Sequence, residues 1–306
     1  MSDKLYKIYN WIELKIEEQK VIKPLEIFLK IIKKLIVLIF LSKVILRYHF
    51  YKKKPIVFGE NKIVVSLTSF PGRISKVWLT LNSIEHQTIV PSKICLYLSN
   101  EEFPQGYASL PSRLKRYVDR GLEIIFVKDN LRSHLKYFYA FQTFKESYIV
   151  TVDDDLYYPK DTIERLLKLN NKFPASICAN LSNEIVYEEG CFLSYLKWKK
   201  AAPFSSCKFN LALGVGGVLY PPTSRPVQLF QKTKIRSLAY YADDLWLKAI
   251  QIINDIEVAV GESFPHPMVI PSTQKISLKK INSQNDILND EQWEKLNKHF
   301  DLIHFF

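Results

Sequence analysis

Two groups of carboxylates stand out from an otherwise ordinary sequence. The β-branched, apolar run Tyr148-Ile149-Val150-Thr151-Val152 ends abruptly in Asp153, Asp154 and Asp155. Three adjacent negative charges repel one another unless a cation or an array of donors neutralises them. On extended chain alternate residues face the same way, so Asp153 and Asp155 are expected to converge on one hard cation while Asp154 points elsewhere. The second group, Asp243-Asp244, opens an amphipathic helix and is followed by the apolar Leu245-Trp246. With both groups facing one cleft, one would hold a divalent cation that neutralises phosphate and the other would supply a general base. Oxygen donors dominate and no His/Cys constellation is present, so Mg²⁺ or Mn²⁺ is the expected ion. The plainer readings are a solvated acidic turn for the first group and a helix cap favoured by the dipole for the second.

The elements that must position these acids alternate between strand and helix from Lys62 onward. Strands are predicted over residues 63–67, 94–98, 122–127 and 149–152, with helices over 76–87, 112–119 and 134–144 between them. Ser75 suits a helix cap, and Gly121 suits a left-handed helix end. This spacing is that of successive βαβ units, a mostly parallel sheet with helices on both faces. Ligands of such sheets collect at the carboxyl ends of the strands, where Asp153–Asp155 and the loop Thr68-Ser69-Phe70-Pro71-Gly72-Arg73 lie. Thr68, Ser69 and Arg73 are therefore candidates to meet a nucleotide. After a helix over 162–170 the strict alternation fades. Residues 189–212 are irregular and rich in aromatics, and the run Leu213 to Pro222 carries Gly214, Gly216 and Gly217. Strands are expected over 176–180, 184–188 and 256–260, with a turn at Leu181-Ser182-Asn183.

The bulk numbers fit a globular protein: 306 residues, 47% apolar and 24% charged. The four cysteines are far apart, which argues against a zinc cluster or a disulfide framework and for a reducing compartment. The net charge of +12 is concentrated at the start, with +8 in residues 1–54 and +4 in the rest. A short amphipathic helix is expected over 4–18 and a second from about Pro24. Lys20, Lys23, Lys30, Lys33 and Lys34 share one face of the second helix, largely opposite an aliphatic one. The longest uncharged run, Leu35 to Ser42, is too short to span a bilayer. A basic amphipathic helix lying in the interface of an anionic membrane fits residues 20–54 better, and packing against the catalytic domain or a partner subunit is the alternative. Few aromatics accompany the lysines, which argues against nucleic acid.

The blocks Val65–Arg73, Ser83–Thr88, Leu96–Ser99, Glu102–Pro104, Arg120–Ile124, Thr151–Pro159, Gly214–Pro222 and Ala242–Trp246 together resemble a family of bacterial GT-A-fold glycosyltransferases. The resemblance covers roughly residues 62–295. It implies a domain over 59–306, with a nucleotide-binding half (59–160) and an acceptor-binding half (161–306), preceded by a helical membrane-association segment (1–58). It further implies transfer of a sugar from a nucleotide-diphosphate donor to a hydroxyl of a cell-surface glycan or lipid-linked glycan, probable inversion being part of the family pattern, on the inner face of the cytoplasmic membrane. By position, Asp153 would face the donor nucleotide, Asp155 would bind Mn²⁺ or Mg²⁺, and Lys136 would lie near the nucleotide with Thr68 and Arg73. Asp244 falls at the position of the base, with Asp243 beside it; which of the two acts stays open. Gly216, Gly217 and Trp246 are expected on the acceptor side. His266 falls near a further metal-ligand position, although a histidine between Pro265 and Pro267 is an ordinary loop residue. The competing readings are a nucleotidyltransferase of sugar phosphates, which usually carries a glycine- and lysine-rich phosphate loop, and a non-catalytic membrane-associated assembly protein.

Overall fold

The computed structural model describes residues 2–17, 22–51, 55–262, 266–271, 273 and 287–306. Lys20, Lys52, Lys53 and Lys54, together with most of the 262–285 stretch expected to shape acceptor binding, lie outside the described residues.

An eight-stranded sheet forms the centre. Its first four strands are β1 (Ile63–Thr68), β2 (Lys93–Ser99), β3 (Glu123–Val127) and β4 (Tyr148–Thr151). They stand in the order β3-β2-β1-β4, all parallel. Beyond β4 the sheet continues through Val218–Tyr220, Ile177–Ala179, Val258–Val260 and Ser205–Cys207. Val218–Tyr220 runs antiparallel to both of its neighbours. The expected mixed α/β architecture with a mostly parallel sheet is the one observed.

Alternation of side chains along β1 feeds two apolar layers. Val65 and Leu67 enter one, with α3 (Val77–Glu85) and α6 (Thr162–Lys172); Val64 enters the other, with α5 (Leu135–Thr143) and α8 (Asp243–Ile253). Residues buried on both faces account for the near-continuous apolar strands. Two smaller helices, α4 (Ser112–Asp119) and α7 (Lys232–Leu238), and a final helix, α9 (Ile287–Phe300), complete the cover. Gly121 has φ +113°, as its place after α4 requires. Ser75 does not cap α3, whose flanking residue is Lys76. The turn expected at 181–183 is displaced, because Ser182–Glu184 pairs with Asn210–Ala212 and Lys199–Lys200 in a separate three-stranded sheet.

The amino-terminal helices α1 (Ser2–Glu17) and α2 (Lys23–Tyr51) share the first apolar layer. Tyr9, Ile12, Phe40 and Tyr48 are buried there alongside β1. Tyr48 packs its ring 4.9 Å from that of Trp78 on α3. Phe40 lies edge-on at 4.9 Å to Tyr157, two residues past the aspartate triplet. The packing alternative weighed for residues 20–54 thus holds for one face of α2.

The crevice that matters is set by strand order. β2 and β3 build outward on one side of β1, and β4 returns on the other, so a cleft opens at the carboxyl ends of β1 and β4. Ser66 pairs with Thr151, which brings the loop after Thr68 level with Asp153.

Candidate active site

The loop after β1 turns tightly, with Arg73 N donating to Phe70 O at 2.9 Å. This aims two side chains across the crevice. Ser69 Oγ donates to Asp154 Oδ2 at 2.6 Å, and Arg73 Nη1 pairs with Asp154 Oδ1 at 2.8 Å. Arg73 Nη2 also reaches Asp155 Oδ2 at 3.0 Å. Burial raises the Asp154 pKa, and the Arg73 charge opposes that rise without cancelling it. Asp154 is therefore a brace between the two strand ends.

The expected split of the triplet is corrected in one respect. Asp155 shares a guanidinium with Asp154, while Asp153 turns the other way, its Oδ1 3.0 Å from Lys136 Nζ. The physical reason is charge. Each carboxylate follows the nearest buried cation, and the alternation of an extended chain ends where β4 does. Asp153 N donates to Tyr158 Oη at 2.9 Å, which fixes the turn.

Lys136 rises from the first turn of α5, buried, and joins the two acidic groups. Its Nζ lies 3.0 Å from Asp153 and 2.8 Å from Asp243 Oδ2. Burial disfavours its charge, but Asp153, Asp243 and Asp244 together hold its pKa well above the ordinary value. Asp243 and Asp244 open α8. Burial resists ionisation of Asp243, and the charges of Lys136 and His134 outweigh it, so its pKa is lowered. Asp244 differs. Burial, then repulsion from Asp243, push it up to about 7, and a donor from Gly214 N at 3.2 Å only partly offsets this. Two adjacent carboxylates are thereby driven apart in proton affinity, Asp243 downward and Asp244 upward.

The glycine run meets this cluster through Gly214. A Cβ there would sit 2.8 Å from Lys136 Nζ, 3.3 Å from Asp244 Oδ1 and 3.5 Å from Asp153 Oδ1. Gly216 and Gly217, expected on the acceptor side, face elsewhere: their added Cβ atoms would meet Leu181 at 2.9 Å and Thr162 at 3.3 Å. Gly217 also has φ +79°, so its role is a tight backbone passage between the strand Val218–Tyr220 and α6. Trp246 is likewise corrected. It is fully buried, with Nε1 donating to Leu229 O at 3.2 Å, because it lies on the core face of α8. Thr68 directs its hydroxyl to Tyr97 O at 2.8 Å and so ties β1 to β2. His266 contributes its backbone oxygen to Tyr6 Oη at 2.5 Å.

Three residues that pattern reading did not single out matter here. Gly214 was one of three similar glycines, with nothing in spacing to separate them. His134 is fully buried between Tyr137 Oη (3.0 Å at Nδ1) and Ala239 O (2.8 Å at Nε2), and burial lowers its pKa to about 4. Tyr195 comes from the aromatic stretch 189–212. Burial, then the charges of Asp244 and Asp243, raise its phenol pKa.

Among the described residues no group of three or more His, Cys, Asp and Glu side chains is gathered as a metal site. Mg²⁺ in nucleotide enzymes is ordinarily carried by one or two carboxylates plus substrate phosphates. One carboxylate at the crevice, that of Asp155, fits that chemistry, while Asp153 is turned toward Lys136.

No family model matches this chain, and no curated protein matches it in sequence. Solved structures do match in shape. Glucosyl-3-phosphoglycerate synthase from Mycobacterium tuberculosis, in complex with Mn²⁺, UDP and phosphoglyceric acid, is 11% identical over 78% of this chain and 79% of that chain, with a TM-score of 0.47. S. aureus TarS 1–349 in complex with UDP is 13% identical over 78% and 72%, with a TM-score of 0.44. CMP:2-keto-3-deoxy-manno-octonic acid synthetase complexed with CTP is 10% identical over 74% and 100%, with a TM-score of 0.41. At these values the likenesses say nothing of the site, and the fold stands on the strand order itself.

Proposed function

We propose that this chain is a glycosyltransferase that moves a sugar, with inversion, from a nucleotide-diphosphate donor to a hydroxyl of a growing glycan. The observation that carries this reading is geometric: Lys136 joins the two acidic groups at the crevice, 3.0 Å from Asp153 and 2.8 Å from Asp243, and Asp244 beside them accepts from Gly214 N, its pKa raised by burial. A general base works best with a pKa near the operating pH. Of the two acids Asp244 is that base, and Asp243 keeps Lys136 in place.

In this scheme the donor lies in the crevice between the ends of β1 and β4, its nucleotide against Ser69, Arg73 and Asp153. Asp155, with the donor's phosphates as the remaining ligands, would hold Mn²⁺ or Mg²⁺. When bound, such an ion supplies charge neutralisation to the diphosphate. Asp244 accepts the proton of the acceptor hydroxyl as that oxygen attacks the anomeric carbon. The bond from that carbon to the diphosphate breaks, and its electron pair leaves with the nucleoside diphosphate. Lys136 is a fixed cation close to the developing charge, and it needs no reorganisation because two carboxylates already hold it.

The test is a thermal-shift screen of nucleotide sugars with Mn²⁺ and with EDTA. A ligand at about 100 times its Kd stabilises the fold by about 2.7 kcal/mol, a rise of roughly 4 °C for a chain of this size. A metal-dependent rise with one nucleotide identifies the donor class, and product analysis then shows whether sugar or nucleotide is transferred. No response to any nucleotide sugar would sink the proposal.

A further inference from the structure

Helix α2 is apolar on two opposite faces. One carries Ile36, Phe40, Val44 and Tyr48 into the core. On the other, Phe28, Leu35, Ile39, Leu46 and Phe50 fall within an arc of about 60° at 100° per residue. They are 57%, 53%, 49%, 62% and 81% exposed. Scattered exposed hydrophobics need no explanation, but a continuous ridge of about 33 Å does. Helix α1 adds Trp11, which is 55% exposed.

Charge indicates what covers the ridge. α2 carries Lys23, Lys30, Lys33, Lys34, Lys43 and Arg47 against a single acid, Glu26, which is paired with Lys30. A second copy of this helix would bring like charges against these. An anionic surface would not. Among the described residues no helix is long and apolar enough to cross a membrane. The sequence expectation laid a basic amphipathic helix in the interface of an anionic bilayer; the structure buries one apolar face of α2, pairs Lys33 with Glu13 of α1, and leaves an aliphatic and aromatic ridge outward with exposed Lys34 and Lys43 on either side.

We propose that the Phe28–Phe50 ridge, with Trp11, seats this chain in the headgroup boundary of an anionic bilayer. The apolar side chains enter the boundary and the flanking lysines meet lipid phosphates, as in helices that lie in an interface. The inner face of α2 is rigidly joined to the crevice through Phe40 against Tyr157 and through α1, whose Tyr6 Oη donates to His266 O. Docking therefore fixes how the cleft faces the surface. This proposal is independent of the glycosyl-transfer reading, since its test uses no nucleotide.

The full chain is floated with vesicles of neutral phosphatidylcholine, with or without about one quarter phosphatidylglycerol. Wild type should partition about tenfold more onto the anionic vesicles, and about 0.5 M salt should remove that preference. The double variant Leu35→Gln, Ile39→Gln should lose about tenfold in partitioning with an unchanged melting temperature. The pair Leu46→Gln, Phe50→Gln serves the same purpose if the first variant folds poorly. Wild type remaining unbound to both vesicles, or ridge variants floating as well as wild type, would overturn the proposal. So would a wild-type dimer that the ridge variants dissociate while vesicles bind neither form.

Discussion

Replacing Gly214 by alanine isolates the charge cluster from the rest of the fold. The new methyl would lie 2.8 Å from Lys136 Nζ, against an ordinary carbon–nitrogen contact of about 3.5 Å, so the ammonium must retreat by roughly 0.7 Å. It has little room to do so. Its two ion pairs are 3.0 and 2.8 Å long and its side chain is buried. Backbone strain does not enter, because Gly214 is not at positive φ, and alanine slightly stabilises by restricting the unfolded chain. The expected stability cost is that of modest overpacking, about 1–3 kcal/mol, or a melting temperature lower by roughly 2–5 °C. The expected catalytic cost is larger, because a misplacement of about 1 Å at reacting groups costs on the order of 100-fold in rate. Gly261→Ala is the control: it makes the same chemical change where an added Cβ meets nothing within 4 Å. Donor turnover and melting temperature are measured on both. A Gly214→Ala enzyme with wild-type kcat/KM would refute the placement of Lys136, Asp153 and Asp244 at the reaction centre.

Four further outcomes follow from the same geometry. The kcat/KM profile should rise with pH through an inflection near 7 as Asp244 loses its proton; Asp244→Asn should abolish the inflection and lower turnover by about 100- to 10,000-fold. Because folding raises the Asp244 pKa, the native state binds more protons there, so its stability contribution is present at low pH and is lost as pH rises through about 7; denaturant midpoints of Asp244→Asn should lack that loss. Arg73→Met strands Asp154 in a buried site with Ser69 as its remaining partner, which should cost about 3–5 kcal/mol by denaturant unfolding. That variant should be least stable above neutral pH, since Asp154 already has a raised pKa and loses a further restraint on it. Trp246→Ala should cost about 3–5 kcal/mol as a core cavity, whereas Trp246→Phe should leave acceptor KM unchanged; an altered acceptor KM in Trp246→Phe would return Trp246 to the acceptor wall.

The first half of the sheet was legible because its strands are short apolar runs closed by polar loops, which periodicity detects well. The helices between them fell within a few residues of their observed bounds. Val218–Tyr220 was not read as a strand, since three residues after a glycine run give no period, and only pairing on both sides defines it. The acidic groups were conspicuous, but their division of labour was not. Whether Asp155 follows Asp153 or Asp154 depends on where Arg73 and Lys136 reach, and those lie 82 and 19 residues away in the chain. Trp246 misled for a related reason. An amphipathic helix shows which residues share a face, and only tertiary packing shows whether that face meets a cleft or a core. The outward ridge of α2 was hidden by a helix apolar nearly all round, in which hydrophobicity alone cannot say which side is already taken.

Helix α9 ties together two loops that approach the acidic pair. Asp290 accepts from Tyr195 N at 2.6 Å and from Ser194 Oγ at 2.7 Å, and Gln292 Oε1 accepts from Tyr241 N at 2.9 Å, just ahead of Asp243. Synthesis from the amino end, at about 5–20 residues per second, delivers the ridge, the sheet and both acidic groups before this helix exists. The catalytic pair and Tyr195 acquire their common anchor only when residues 287–300 leave the ribosome. The Tyr195 loop and the start of α8 thus share one anchor that lies more than 40 residues beyond Asp244 in the chain.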